Sequence, residues 1–231
     1  MNTIYTITGK GGSGKSTTVK YLALVLAAAG NEVILIDTDP QASLTRFVMG
    51  DDFIPEKSLS DLLLGAASLD EVMIAVEGVK LIPCTGELEN TAIDLAKRES
   101  NIHRLRSFTD TLPGIVIIDT LPKTFDYLTE MAAAASDYVI AVVHPDREAI
   151  RKVTEAKELA ESWQQYGRGS RYLGFIGTQL STQSAEQRQL TEELQNRPDF
   201  LGGVWFNRSQ RKHQAYLRDY AVIAEKIGHA S

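Results

Sequence analysis

Seven short apolar runs rich in Ile and Val punctuate the chain: Thr3 to Thr8, Val33 to Asp37, Val79 to Pro83, Ile115 to Asp119, Tyr138 to Val143, Tyr172 to Gly177 and Val204 to Phe206. Most carry apolar residues at successive positions, the pattern of strands covered on both faces. Between the runs, apolar residues recur at three- and four-residue intervals. That spacing predicts helices over Lys15 to Ala29, Leu59 to Leu64, Leu88 to Phe108, Phe125 to Ala135, Arg147 to Gln165, Ala185 to Gln195 and Gln210 to Ile227. Strands that alternate with helices must be joined by crossovers, so the expected fold is α/β, with a mostly parallel, twisted sheet and helices on both faces. No Pro- or Ser-rich linker, low-complexity tract or internal repeat divides the chain, and Gly167 to Ser170 reads as a loop. A single domain over residues 1–231 is the expectation.

Composition narrows the classes. A chain of 231 residues, 43% of them apolar, can bury a sizeable core without staples. With 24 Lys and Arg against 30 Asp and Glu, the formal charge is −6, so any nucleic-acid contact has to come from a local basic patch. The single cysteine, Cys84, allows no internal disulfide and no cysteine zinc site, which suits a reducing cytoplasm. The longest apolar run, Tyr21 to Ala29, falls far short of the roughly 20 residues that span a bilayer, and Met1 opens a strand-like segment without a basic leader. Neither secretion nor a membrane span is expected.

The first strand runs straight into Gly9-Lys10-Gly11-Gly12-Ser13-Gly14-Lys15-Ser16, and a helical run beginning at Thr17 follows at once. This is G-x-x-x-x-G-K-[ST] in the strand–loop–helix setting its chemistry needs. Glycines let the backbone wrap a polyphosphate and turn its N–H groups inward, and the helix N-terminus adds partial positive charge. Gly11, Gly12, Ser13, Gly14 and Thr17 form the cradle, Lys15 reaches the β and γ phosphates, and the Ser16 hydroxyl ligates Mg²⁺. The plainer alternative is a Gly-rich turn that binds nothing. A second strand ends in Asp37-Thr38-Asp39-Pro40-Gln41, with two acids on alternate positions that point the same way. Turn formation before Pro40 would also account for them. Ile115 to Asp119 is a buried strand ending in an acid, the form of a Walker B segment, whose Asp119 sits behind a Mg²⁺-bound water.

Lys10-Gly11-Gly12-x-Gly14-Lys15-Ser16-Thr17 together with Asp37-x-Asp39-Pro40-Gln41 resembles the deviant Walker A ATPases of the ParA and MinD family, most of all the small ParA-type partition ATPases. The resemblance covers most of the chain and is weak between Asp51 and Pro113. It implies that Lys10 crosses a dimer interface to the phosphates of the partner's nucleotide, so that ATP joins two subunits face to face. Otherwise Lys10 is a solvated loop lysine. It also implies that Asp39 positions or deprotonates the attacking water, that Asp37 supports the Mg²⁺ shell through water, and that the nucleotide is ATP. Three departures stand out: Leu121 replaces a proline after Asp119, Thr178 and Gln179 stand where relatives often carry an Asn, and no proline accompanies Phe206-Asn207-Arg208.

Asn207 is the base-contact candidate. The window Leu201 to Arg218 holds Arg208, Arg211, Lys212 and Arg218 with no acid, a candidate patch for salt-sensitive, nonspecific DNA binding, with a solvated helix face as the other reading. Arg147, Arg151 and Lys152 read as a solvated face. Leu217, Tyr220, Ala221, Ile223, Ala224 and Ile227 recur at helical spacing beside Asp219 and Glu225, a core helix rather than a membrane anchor. The expected function is a cytoplasmic, nucleoid-associated ATPase for plasmid or chromosome partition. Its ATP-dependent homodimer binds DNA nonspecifically and is released when a ParB-like adaptor stimulates hydrolysis. With no DNA-binding segment before the first strand, operator-specific repression is not expected. A MinD-like membrane-associated or protein-cargo positioning ATPase is the alternative. Among metabolic relatives, the single cysteine excludes the nitrogenase iron protein, and a dethiobiotin synthetase has no use for Lys10.

Overall fold

A computed structural model describes residues 3–123, 126–164, 170–206 and 212–230, the side chains at 212, 229 and 230 apart. Eight strands form one sheet: β1 (Thr3–Thr8), β2 (Val33–Asp37), β3 (Ile74–Val76), β4 (Val79–Ile82), β5 (Ile115–Asp119), β6 (Tyr138–Val143), β7 (Arg171–Leu180) and β8 (Phe200–Trp205). Their order is β3-β4-β2-β5-β1-β6-β7-β8, parallel throughout except for β3 against β4. The central strands β2, β5 and β6 are buried along nearly their whole length, as their unbroken apolar runs require.

All seven predicted strands are present, and the fold is the predicted α/β architecture. The sequence reading missed β3, whose three residues are too few to carry a period. It pairs with β4 through Glu77 and Gly78, both at positive φ (49° and 82°), the conformation of a two-residue primed hairpin turn. The last strand is longer than expected because Gly202 and Gly203 dilute its apolar signal.

Helix α1 (Lys15–Ala28) follows β1, and α2 (Ser43–Met49) follows β2. Next come α3 (Leu59–Leu64) and α4 (Leu69–Val72), each opened by a serine capping box. The expected helix over Leu88 to Phe108 is broken into α5 (Glu87–Ala96), a 3₁₀ turn (Glu99–His103) and α6 (Arg104–Thr109). Lys97 to Asn101 offers no apolar residue to bury, Arg98 turns extended, and the Asn101 amide donates to the Leu95 carbonyl at 2.9 Å to close the end of α5. Helices α7 (Tyr127–Ala135), α8 (Ala149–Gln164), α9 (Ala185–Gln195) and α10 (Lys212–Ala230) complete the chain. The expected extensions of α7 to Phe125, α8 to Gln165 and α10 to Gln210 fall outside the described residues, while Arg147 and Glu148 precede α8.

The core lies on both faces of the sheet. One side packs Leu22 of α1 and Tyr220, Ile223 and Ile227 of α10 against Ile7, Leu35, Ile117 and Ile140. The other packs α3, α5, α6 and α7 against Ile4, Ile36, Val116 and Ile118, with α8 over Val139 and Ala141. The C-terminal helix is therefore a core helix, as its pattern predicted. No helix among the described residues is long and apolar enough to cross a membrane.

Candidate functional site

The connection from β1 runs to β2, beyond β5, while β6 lies on the other flank of β1. Chain direction thus diverges at the C-terminal end of β1, the point where open α/β sheets take ligands. Residues Gly9 to Ser16 occupy that point. Gly9 cannot be replaced: at φ 158° a Cβ would lie 2.2 Å from the Val142 carbonyl oxygen of β6. Gly14, left-handed at φ 89°, turns the loop into α1, and Thr18 N donates to its carbonyl at 2.8 Å to start the helix. Gly11 and Gly12 form an exposed rim, while Ser13 and Lys15 are buried and Ser16 and Thr17 are half-buried at the start of α1.

The two lysines of the loop separate. Lys15 is 8% exposed, and its Nζ lies 3.4 Å from the Lys10 carbonyl oxygen, to which Ser13 N also donates at 3.2 Å. Burial lowers its pKa, against the raising charges of Asp119 and Asp39. The Lys10 side chain turns outward instead, 40% exposed, and donates to Asp146 at 2.7 Å and Glu148 at 3.1 Å in the segment between β6 and α8.

The acids of β2 and β5 sit side by side: Asp37 and Asp119 are register partners on adjacent parallel strands, both buried. Desolvation is the main cause that raises both carboxyl pKa values above the usual carboxylate range; the charge of Asp39 adds to it at Asp37, and the charges of Asp37 and Asp39 add to it at Asp119. Asp119 accepts from the Ser16 hydroxyl at 2.6 Å through Oδ2, while its buried Oδ1 has no hydrogen-bond partner. Asp37, expected to support the Mg²⁺ shell through water, is instead engaged through both oxygens. Its Oδ2 accepts from the Thr45 N–H and hydroxyl (2.8 and 2.7 Å) and its Oδ1 from Asp39 N at 3.1 Å, so it anchors the start of α2 and the turn bearing Asp39. Thr38 and Thr120 lace these strand ends together, donating to the carbonyls of Asp119 and Ile7 at 2.6 and 3.0 Å. Asp39, 7% exposed, accepts from Gln41 N at 2.9 Å and borders a 440 Å³ groove that continues past Pro40, Leu121, Pro122 and Lys123 to α5.

A 120 Å³ aromatic pocket opens beside Gly14 and Thr17, lined by Thr178, Gln179, Trp205, Phe206 and Tyr216. The sequence singles out Asn207 for the base, beside Phe206, and gives Trp205 and Tyr216 no part in it. The available signal was the pair Trp205-Phe206 at a strand end, where a buried strand has no need of two large rings. Asn207, Arg208 and Arg211 lie outside the described residues, as does the side chain of Lys212. Arg218 is exposed on α10. Arg147 and Arg151 pair with Glu186 and Glu148 on the surface, whereas Lys152, expected on the same solvated face, is largely covered and pairs with Glu155.

Loop, buried lysine and paired strand-end acids define a P-loop nucleotide-binding site at the switch point of the sheet. A family model described as an AAA domain matches residues 1–166. The chromosome partitioning protein ParA of Caulobacter vibrioides is 28% identical over 158 residues, covering 66% of this chain and 59% of that protein. The sporulation initiation inhibitor protein Soj of Bacillus subtilis is 32% identical over 161 residues, covering 67% and 63%. The chain thus matches less than two thirds of the length of either relative. The crystal structure of a putative plasmid partition protein from Borrelia burgdorferi, bound to AMPPNP, superimposes with a TM-score of 0.83 at 26% identity over 99% of this chain and 98% of that one. The chain belongs to the ParA/MinD family of P-loop ATPases.

Proposed function

We propose that residues 1–231 act as one ParA-like partition ATPase, in which ATP draws two copies into a dimer that binds DNA and hydrolysis releases it. The observation that carries this reading is the outward course of Lys10. A lysine serving its own nucleotide would share the buried position of Lys15, whereas Lys10 leaves its loop and stands at the surface, where a second copy can receive it. In a closed interface, a lysine near several phosphate charges gains far more than it does in water.

In this mechanism Gly11, Gly12, Ser13, Gly14 and Thr17 wrap the phosphates with backbone N–H groups and the positive end of α1. Lys15, already desolvated, meets the β and γ phosphates. The residues at the loop fit Mg²⁺: the Ser16 hydroxyl would hold it directly, and the unpartnered Oδ1 of Asp119 would accept from a metal-bound water. When bound, the ion neutralises phosphate charge. Asp37 contributes by holding the Asp39 turn. Asp39 orients or deprotonates the water that attacks the γ-phosphate, a role worth about 10²- to 10⁴-fold in rate. The base enters the aromatic pocket beside Thr178, Trp205 and Phe206. Arg208, Arg211, Lys212 and Arg218 supply the DNA patch, and a ParB-like adaptor stimulates hydrolysis in a nucleoid-associated, cytoplasmic setting.

Light scattering with Mg-ATP tests the reading. Wild type should dimerise, Lys10→Ala should bind ATP yet remain monomeric, Lys15→Ala should bind no nucleotide, and Asp39→Ala should hold a dimer that hydrolyses about 10²-fold more slowly or worse. Normal ATP-dependent dimerisation of Lys10→Ala would overturn it. Co-sedimentation with anionic liposomes rather than with DNA would transfer the chain to the membrane-positioning branch of the family. That outcome is not favoured by the burial of Tyr220, Ile223 and Ile227.

A further inference from the structure

The end of β7 does more than line the aromatic pocket. Thr178 is buried, and its hydroxyl lies 2.5 Å from the Ser13 carbonyl oxygen and 3.2 Å from that of Val143 at the end of β6. Its one proton is therefore directed mainly at the phosphate loop and secondarily at the neighbouring strand. Its methyl and Cβ lie 3.6 and 3.7 Å from where a Cβ on Gly14 would stand, so Thr178 also packs against the residue that turns the loop into α1. Next to it Gln179 takes a left-handed backbone, φ 52°, which few residues other than glycine adopt at small cost. That conformation brings its amide nitrogen 3.3 Å from the Gly12 carbonyl oxygen. Two successive residues at one strand end thus hold two successive loop carbonyls.

The geometry points to Thr178 as a positioning residue for the phosphate loop. A trans peptide is planar, with the carbonyl of one residue and the N–H of the next pointing opposite ways. Holding the Ser13 carbonyl toward β7 therefore turns the Gly14 N–H away from it, and the peptide has one settled orientation instead of two. Glycine-rich loops need such a constraint, because their glycines allow a peptide to flip at little steric cost. A loop whose donors are already oriented binds a polyphosphate without first ordering them. Because Thr178 and Gln179 also wall the aromatic pocket, the hydroxyl ties the phosphate cradle and that pocket into one piece. The role assigned to Thr178 is directed at the phosphates, not at the base.

This inference rests on nucleotide binding at the loop, and its test keeps the two apart. Calorimetry with Mg-ATP, and competition by inorganic tripolyphosphate, would be measured for wild type, Thr178→Val and Thr178→Ser. Valine keeps the shape and loses the hydroxyl; serine keeps the hydroxyl. Thr178→Val should weaken ATP and tripolyphosphate by the same factor, about ten-fold for one lost buried hydrogen bond. Thr178→Ser should bind within about three-fold of wild type. If wild type binds no ATP, the nucleotide reading itself fails. If wild type binds and Thr178→Val binds ATP equally tightly, the positioning role fails while nucleotide binding stands. A loss for ATP with tripolyphosphate unchanged would move Thr178 to base recognition and overturn the role too. Should Thr178→Val not fold by circular dichroism, Thr178→Ala, which only removes atoms, takes its place with the same expectations.

Discussion

Lys10 and Lys15 share a loop, yet one lies in protein and the other in water, and the difference follows from what each touches. Lys15 is covered at the start of α1, whereas Lys10 leans on two surface carboxylates that solvent screens. The same contrast governs the acids. Ionising Asp119 requires a desolvated charge beside Asp37, so its folded pKa stands above its unfolded value. The stability linked to this group is then fully present below the unfolded carboxylate pKa, near 4, and is lost as pH rises through the raised folded value. The nucleotide-free protein should therefore melt at lower temperature at about pH 8 than at about pH 5. Asp119→Asn should flatten that decline and raise the melting temperature near neutrality, while abolishing hydrolysis; a scanning calorimeter reads both arms, and an unchanged slope would refute the account. Cys84 is the third case. Burial foremost, then the nearby charges of Asp37 and Asp39, push its thiol pKa up. Iodoacetamide should label it at neutral pH only as fast as the protein opens, and at once in denaturant.

At the scale of elements, what could be read in the sequence was whatever repeats. The six residues of β6 announce themselves by uninterrupted apolar side chains, those of β1 by β-branched and aromatic ones, and α1 by a long apolar run behind a glycine loop. Elements held by particular contacts left no such trace. The short helix α2 begins where Thr45 reaches Asp37, and the break after α5 is closed by the Asn101 amide. Similarly, the loop motif identified Lys15 and Ser16, but the outward hold on Lys10 by Asp146 and Glu148, and the clamp by Thr178, join residues more than a hundred positions apart. No local pattern encodes such pairs. One further long-range contact joins α1 to α10, where the Thr18 and Tyr220 hydroxyls meet at 2.8 Å, with Tyr220 fully buried. Tyr220→Phe keeps the ring and strands the Thr18 hydroxyl, so urea unfolding should lose about 1 kcal/mol. No loss at all would mean that this hydrogen bond adds nothing to the other contacts that join the two helices, among them the Tyr21 hydroxyl with His213 Nδ1 at 3.1 Å.

For the whole molecule, alternation of strands and helices predicted a parallel sheet but not its order. That β5 is inserted between β1 and β2 is a consequence of tertiary packing, and it alone makes neighbours of Asp37 and Asp119. Charge also acts at this scale. A body of net charge −6 is repelled by DNA over a distance of about a Debye length, so the proposed basic segment must overcome a repulsive background. Retention on nonspecific duplex with ATP should fall steeply and linearly in log salt, and Arg218→Ala should shallow that slope by about one. Retention indifferent to salt would rule out a phosphate-directed patch.

Two dry carboxylates kept in register have a further consequence for the lifetime of the protein in a cell. An empty molecule carries the desolvation cost of both carboxyl groups, and a filled one gains binding free energy to set against it, about 2.7 kcal/mol at a hundredfold excess of ligand over its dissociation constant. Proteases and chaperones select the fraction that opens. Copies that stay charged with nucleotide would outlast idle ones, so abundance would follow the energy supply without any dedicated sensor.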